Sequence, residues 1–452
     1  MQLSTLRLMV ALVGATITTA YTQEAPLHAE LENGVAAGDV TQRSAVLWAR
    51  APQPGLVRFT LRAENERRPR HYYDVVRDPL VPVRLEVHGL TPGTRYRYAA
   101  AFRSRRSTGH FVTPHAAGKH GLRFGVSGDS RGDIAPFPSI KNAVDRKLDF
   151  FVHLGDTIYA DVASPDVPKK QAETIEDYRR KHKEIVSERA GLNAMRDLRR
   201  STAWYATIDD HEVTNDFAGG ANPASDPRFK FTNERFINET ALFENGLRSF
   251  HEYQVLRDER YGDTGDARTA KKRKLYRHVR FGEDAAIFVL DNRSFRDQAL
   301  PPVTDLSDFQ KIFAFLNGSH DPSRTMLGKA QLEELERDLE AAQKAGIVWK
   351  FVIVPEPMQN LGVVFAEDRF EGYAAERTRV LSFIRNKAIQ NVVFVSADIH
   401  GTLVNNLTYE AAPIAPRIPV DAFEVVTGAV AYDAPLGPTL VNIATQLGLL
   451  TP

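Results

Sequence analysis

Six short apolar runs between residues 124 and 395 each hand over to a polar group capable of chemistry. Phe124–Ser127 leads into Gly128-Asp129-Ser130-Arg131, Phe150–Leu154 into Gly155-Asp156-Thr157-Ile158-Tyr159, and Ala206–Ile208 into Asp209-Asp210-His211-Glu212. Ala285–Leu290 leads into Asp291-Asn292-Arg293, Val348–Val354 into Pro355-Glu356-Pro357-Met358-Gln359-Asn360, and Val392–Val395 into Ser396-Ala397-Asp398-Ile399-His400. Such runs read as buried strands. With helical stretches between them, the region from Leu122 onward reads as α/β. In such folds, sites assemble beyond the carboxyl ends of the strands. A lone Asp there is commonly a turn residue or a helix cap, but six polar strand ends in succession describe a site.

Carboxylates crowded into one crevice repel one another and lose ionisation unless a cation joins them. The chain has no cysteine, which excludes a disulfide scaffold, a Cys-liganded zinc, an iron–sulfur cluster and a thiol nucleophile. The remaining donors are hard: Asp129, Asp156, Asp210 and Asp398, the phenol of Tyr159 and the imidazole of His400. Oxygen-rich sets suit Fe(III), Mn, Mg or Ca. Two ions sharing a carboxylate polarise a phosphoryl group and lower the pKa of a bridging water. No Gly-x-Ser-x-Gly elbow, P-loop or His-Glu-x-x-His motif offers a different chemistry. The balance of 58 basic against 57 acidic residues argues against nucleic-acid binding by bulk electrostatics.

Upstream, residues 31–115 read as an all-β unit. Ser44–Ala49, Val57–Leu61, Val83–Val87 and Arg95–Phe102 are strand-like and separated by Pro/Gly turns, a pattern expected of a small sandwich. Thr113–Gly121 is the expected boundary, with the α/β unit spanning 121–452. Within it, Gln331–Lys344 carries Leu332, Leu335 and Leu339 on one face, and Met195–Arg200 and Asn233–Leu256 read as helical insertions. The basic run Lys271–Lys274 reads as a solvated loop. Met1–Ala20, with Arg7 ahead of the apolar stretch Leu8–Val13, reads as a secretory signal peptide. It lacks a twin-Arg pair and is too short for a convincing membrane span. The expectation is a secreted or periplasmic protein with no membrane span after processing.

Gly128-Asp129, Gly155-Asp156-x-x-Tyr159, Asp210-His211-Glu212 and Asp398-x-His400 together resemble the metallophosphoesterase superfamily, and within it the alkaline phosphatase D (PhoD-like) family. Supporting stretches are Gly34–Arg50 (GVAAGDVTQRSAVLWAR), His153–Asp161 (HLGDTIYAD), Asp209–Asp216 (DDHEVTND), Leu290–Asp297 (LDNRSFRD), Thr325–Glu336 (TMLGKAQLEELE) and Val395–Gly401 (VSADIHG). Leu90–Phe102 also resembles the end of a fibronectin type III-like module. The resemblance implies a four-layer metallophosphoesterase α/β sandwich preceded by a small β-sandwich domain. It also implies hydrolysis of phosphate mono- and diesters by a metal-bound hydroxide, with Fe(III) and Ca(II) as cofactors and Mn, Zn or Mg as alternatives.

Residue by residue, the resemblance implies that Asp156 bridges two metals. Asp129, Tyr159 and His400 complete the first position, and a Tyr–Fe(III) bond there would colour the protein. Asp210 and Asp398 hold the second, with Gln359 or Asn360 as a further candidate. His211 either hydrogen-bonds the substrate phosphate or protonates the leaving oxygen. Arg131 either grips a non-bridging phosphate oxygen or pairs with a neighbouring acid. Arg293 reads as a structural ion pair beside Asp291, and Glu356 as a supporting group or a loop cap. Three departures bear on the metals. Asp129 stands where many relatives offer a Cys ligand, and the motif is closer to that of purple acid phosphatases, which use Asp there together with Gly-Asp-x-x-Tyr. Asp129-x-Arg131 replaces the superfamily's Asp-x-His, and Arg cannot ligate a cation. The twin-Arg export signal is absent. Two other readings remain open: a phospholipase D-type phosphodiesterase acting on lipids or phosphate polymers, and a non-catalytic binding protein with a degenerate site. Oligomeric state and natural substrate are not fixed by the sequence.

Overall fold

The computed structural model describes residues 29–229, 232–363 and 366–432. The segment read as a signal peptide and the stretch after Ala434 lie outside them. Two large sheets face one another. The first has seven strands in the order Ala429–Ala431, Phe124–Ser130, Phe150–His153, Ala203–Ala206, Val35–Gly38, Ser44–Ala49 and Val83–His88. The second has six, ordered Arg277–Phe281, Ala285–Val289, Trp349–Ile353, Val392–Ser396, Ile418–Val426 and Leu403–Tyr409. Within each sheet, the strands that end in the polar motifs are parallel to one another. Parallel strands covered on both faces read as continuous apolar runs rather than alternating ones, which is why the sequence shows them so plainly.

Five of the six strands that end in these motifs divide their side chains between two cores, whereas Phe124 and Val126 of the first pack only against the inter-sheet core. Phe150 and Val152 point into the core between the sheets, whereas Phe151 points outward and stacks on Trp204 at 5.2 Å. Ile287 and Val289 likewise face inward while Ala286, Phe288 and Leu290 face outward. Helices Ile175–Ile185, Ala194–Ser201 and Ala241–Tyr253 cover the first sheet, and Lys329–Lys344 and Ala374–Asn386 cover the second. The result is a four-layer α/β/β/α sandwich.

A third sheet, antiparallel and ordered Arg70–Val76, Gly55–Ala63, Arg95–Phe102 and Arg105–Val112, packs Val57, Phe59, Leu61, Tyr96 and Phe111 into the inter-sheet core. Val35–Gly38 pairs in parallel with Ala203–Ala206. The β-rich segment thus contributes three strands to the sheet that carries Asp129 and Asp156.

Some local expectations shift. The strand expected at Ala206–Ile208 forms at Ala203–Ala206, and Ile208 is buried in the following loop. The helical stretch at Asn233–Leu256 becomes a short 3-10 turn, Ile237–Glu239, and then helix Ala241–Tyr253 capped by Thr240. The basic run is not simply solvated: Lys272 pairs with Glu239 at 2.9 Å, Arg273 with Glu244 and Asp258 at 3.2 Å, and Lys274 with Glu334 at 2.8 Å.

Candidate active site

The six polar strand ends come three from each facing sheet, and they meet across the top of the inter-sheet core. Thr207 donates to the carbonyl of Leu290 at 2.6 Å, and a Cβ on Gly128 would lie 2.9 Å from that of Ala397. The backbone there is unusual. Asp129, Asp156, Asp216, Asp398 and His400 all have positive φ, between 51° and 65°. Left-handed backbone at non-glycine residues is uncommon, and it clusters where a structure holds functional side chains against local strain. Gly155, at φ +100°, permits a close approach, since a Cβ there would meet the backbone N of Asp209 at 2.5 Å.

Three interlocking groups of ligand atoms result. One atom each from Asp129, Asp156 and His400 lie within 4.8 Å of one another, as do atoms from Asp156, Asp210 and His211, and from Asp210, Asp216 and Asp368. Asp156 belongs to the first two groups and Asp210 to the last two. The Tyr159 hydroxyl is 3.4 Å from His400 Nε2, which in turn is 3.6 Å from Asp129 Oδ1. Asp129 Oδ2 is buried with no hydrogen-bond partner among the described residues. It is an acceptor left over for a cation.

The electrostatics agree with a cation site. Burial, then the charges of Asp398 and Asp210, push the Asp129 carboxyl well above its ordinary range. Burial, then Asp210, Asp209 and Glu212, does the same to Asp156. Burial lifts Asp398 to about 6 against the pull of Arg369 and Arg293. Asp210 stays below the usual carboxylate range because His211 and Arg293 outweigh its burial. A cluster of this kind keeps its full negative charge only when positive charge sits within it. The residues fit hard metal ions.

Two supporting networks hold the ligands. Glu212, fully buried, accepts from the backbone N–H groups of Asp156 at 3.2 Å, Thr157 at 2.5 Å and Asp209 at 2.9 Å. Arg293, also fully buried, reaches Asp209 at 2.5 Å, Asp368 at 2.8 Å and Glu356. Arg296 pairs with the same Asp368 at 2.6 Å and with Glu356 at 3.2 Å. Arg293 therefore pairs with residues from other loops and not with the side chain of Asp291. The Asp291 carboxylate instead accepts from the N–H groups of Arg293 and Ser294. Because Asp368 is taken up by two guanidiniums, its group is a weaker cation site than the other two.

His211 stands beside the cluster, with Nδ1 2.6 Å from Asp161 Oδ1 and Nε2 4.0 Å from Asp210 Oδ1. Burial opposes its charged form, but Asp210 and Asp161 raise it to about 9. Cations held on Asp156 and Asp210 would pull that value back down. Tyr432 stacks on His400 at 3.5 Å, and the Arg131 guanidinium lies 5.2 Å from the Tyr432 ring.

Residues 126–446 match the PhoD-like phosphatase family, and residues 16–115 match that family's N-terminal domain. The chain belongs to the PhoD-like phosphatase family. It is a phosphoric ester hydrolase. Alkaline phosphatase D of Bacillus subtilis (strain 168) is 28% identical over 432 residues, covering 85% of this chain and 67% of that protein. A solved structure of PhoD superposes with a TM-score of 0.70 at 24% identity, over 90% of this chain and 78% of that one. It shares the fold. Among the described residues, no helix is long and apolar enough to cross a membrane.

In this PhoD-like phosphatase the structure gathers Asp129, Asp156, Tyr159, Asp210, His211 and His400 at one place. Asp398 is near enough for its charge to act on Asp129 but lies outside the three ligand groups. Arg131 makes a two-pronged ion pair with Asp133, at 3.1 and 2.7 Å. Gln359 turns to strand Leu403–Tyr409, where its carbonyl accepts from the Thr408 N–H, and Asn360 caps Gly362. The sequence motifs contain Asp161, Glu212 and Asp216 without giving them a role, and they do not contain Asp368 or Tyr432. Asp161 closes the HLGDTIYAD run, while Glu212 and Asp216 sit inside DDHEVTND. Their motif positions were the available signal. Asp368 and Tyr432 had none.

Proposed function

We propose that the protein is an exported phosphohydrolase cleaving phosphate monoesters and diesters at a centre of more than one metal ion. The observation that carries this reading is the sharing of Asp156 between two adjacent ligand groups. Asp129, Asp156, Tyr159 and His400 would hold Fe(III), and Asp156, Asp210 and Asp398 would hold Ca(II), with Mn, Zn or Mg as substitutes. When bound, two such ions polarise a phosphoryl group and lower the pKa of a water they share. Export rests on the signal-like pattern of Met1–Ala20.

The chain's own residues would supply the rest. Asp161 accepts the Nδ1 proton of His211 at 2.6 Å, which fixes the ring and turns Nε2 toward the carboxylate cluster. As the ester P–O bond breaks, the Nε2 proton would pass to the departing alcohol oxygen. Arg131, braced by Asp133 and lying over Tyr432, would meet a non-bridging phosphate oxygen at the mouth of the site.

The test compares turnover of nitrophenyl phosphate with that of its bis-ester, alongside a visible absorption spectrum. Comparable rates and an iron-dependent absorption band are expected. A strong preference for the diester would favour the phospholipase D-type reading. A colourless, iron-free and fully active enzyme would overturn the Tyr159–Fe(III) assignment.

A further inference from the structure

Away from the acidic cluster, a cleft of about 860 Å³ opens between the outer face of the four-stranded sheet and helix Ala194–Ser201. Arg62, Arg95, Arg97, Arg106 and Arg200 line it. Pairing registers place the sheet residues in rows across strands Gly55–Ala63, Arg95–Phe102 and Arg105–Val112. Arg62 is directly opposite Arg97, which is opposite His110. Two residues along, Thr60, Ala99 and Thr108 form a row of small side chains. Two further along, Ala101 is opposite Arg106. The cleft therefore has a low central floor with guanidiniums at both ends, the outer rows about 13 Å apart at the rise of a β-strand.

This arrangement works against the fold. Like charges directly opposite on antiparallel strands are destabilising, and compensation is thin. Arg95 and Arg97 share the single carboxylate of Glu64 at 3.5 and 3.9 Å, and Arg200 is met by Glu30 and Asp197. Among the described residues, Arg62 and Arg106 have no acidic side chain within ion-pair distance. Beside Gly109 and Arg200, Tyr98 also lines the cleft at only 2% exposure, and its hydroxyl is buried without a hydrogen-bond partner among the described residues.

Guanidiniums match tetrahedral oxyanions better than point cations do. One phosphate could meet only one row, so filling both ends requires a ligand with successive anions. The cleft lies at the amino end of strand Ala203–Ala206, preceded by Arg200 and Ser201, whereas Asp210 follows its carboxyl end. It is therefore separate from the acidic cluster. We propose that this cleft is a second, non-catalytic binding site that holds a polymer of phosphate groups. The choice of phosphate rests on the phosphoesterase reading, but the site's existence does not.

The experiment titrates end-labelled long-chain inorganic polyphosphate into the wild-type protein and R62E/R97E, followed by fluorescence anisotropy, with Arg106→Glu as a second variant. Binding at least tenfold weaker in both variants, with a shallower salt dependence and unchanged turnover of nitrophenyl phosphate, is expected. Undiminished polyphosphate affinity in the variants would overturn the proposal. So would polyglutamate or single-stranded RNA of matched charge binding the wild type at least as tightly. Because the readout is binding, its failure is distinct from a failure of the proposed hydrolysis.

Discussion

The carboxylate of Glu212 takes both the backbone N–H of Thr157, at 2.5 Å, and its hydroxyl, at 2.6 Å. Through its other oxygen it also ties down Asp156 and Asp209. One buried side chain thus fixes the turn after strand Phe150–His153 to the turn after strand Ala203–Ala206, and with them the spacing of Asp156 and Asp210.

Replacing this residue should therefore loosen the site without touching a proposed ligand. In Glu212→Gln, an amide N–H₂ must face backbone donors, leaving buried groups unsatisfied at a cost of about 1–3 kcal/mol. Groups that orient ligands commonly govern metal affinity by about 10–100-fold. Chemical denaturation should show the stability loss, and titrating activity against added metal should show a right-shifted curve. An unchanged metal requirement would mean the clamp does not set the ligand spacing.

Gly155→Ala should be more damaging. Its Cβ would fall 2.5 Å from the Asp209 backbone N, at a φ that L-residues rarely adopt. A loss of more than about 3 kcal/mol, with loss of phosphatase activity, is expected. Wild-type stability in denaturant would show that the two turns can separate at little cost.

These two positions show what the sequence could and could not convey. Asp129, Asp156 and Asp398 were legible because each follows an apolar run, and for Asp156 and Asp398 the side chains of that run fill two cores at once. Asp368 follows no strand, and at the site it is held by ion pairs with Arg293 and Arg296. Tyr432 depends on the short strand Ala429–Ala431 pairing beside Asp129, a contact between residues about 300 positions apart that leaves no local trace. Strand Ile418–Val426 alternates buried and exposed residues and so lacks the continuous run that marked the others. The parallel pairing of Val35–Gly38 with Ala203–Ala206 was equally hidden, because its small residues encode close approach without naming the partner.

The His211–Asp161 pair predicts a dependence on the leaving group. Nitrophenolate departs without help, whereas an alkoxide needs a proton. His211→Ala should slow hydrolysis of an alkyl phosphate by roughly 10²–10⁴-fold and of nitrophenyl phosphate far less, with Asp161→Asn showing a smaller version of the same split. Equal losses on both esters would reassign His211 to phosphate binding.

A buried histidine away from the site makes a pH prediction. His182 stacks on Tyr253 at 5.4 Å, and burial, aided by the charges of Arg199 and His153, pushes it down to about 3. The unfolded chain takes up its proton near pH 6.5, so the native state loses about 1.4 kcal/mol per pH unit as pH falls from there toward 3. Above pH 7 the group has no such effect. His182→Phe keeps the ring stack and should flatten acid denaturation by about that slope, with little change at pH 8. A slope identical to wild type would show that His182 is protonated in the folded protein.

If Asp156 is shared between two metal positions, the metal content of the Asp156→Asn variant beside that of the wild type shows it. More than one tightly held ion per wild-type chain is expected, with loss of both metal and nitrophenyl phosphate turnover in a folded variant. A variant that retains the wild-type metal complement and full activity would contradict it.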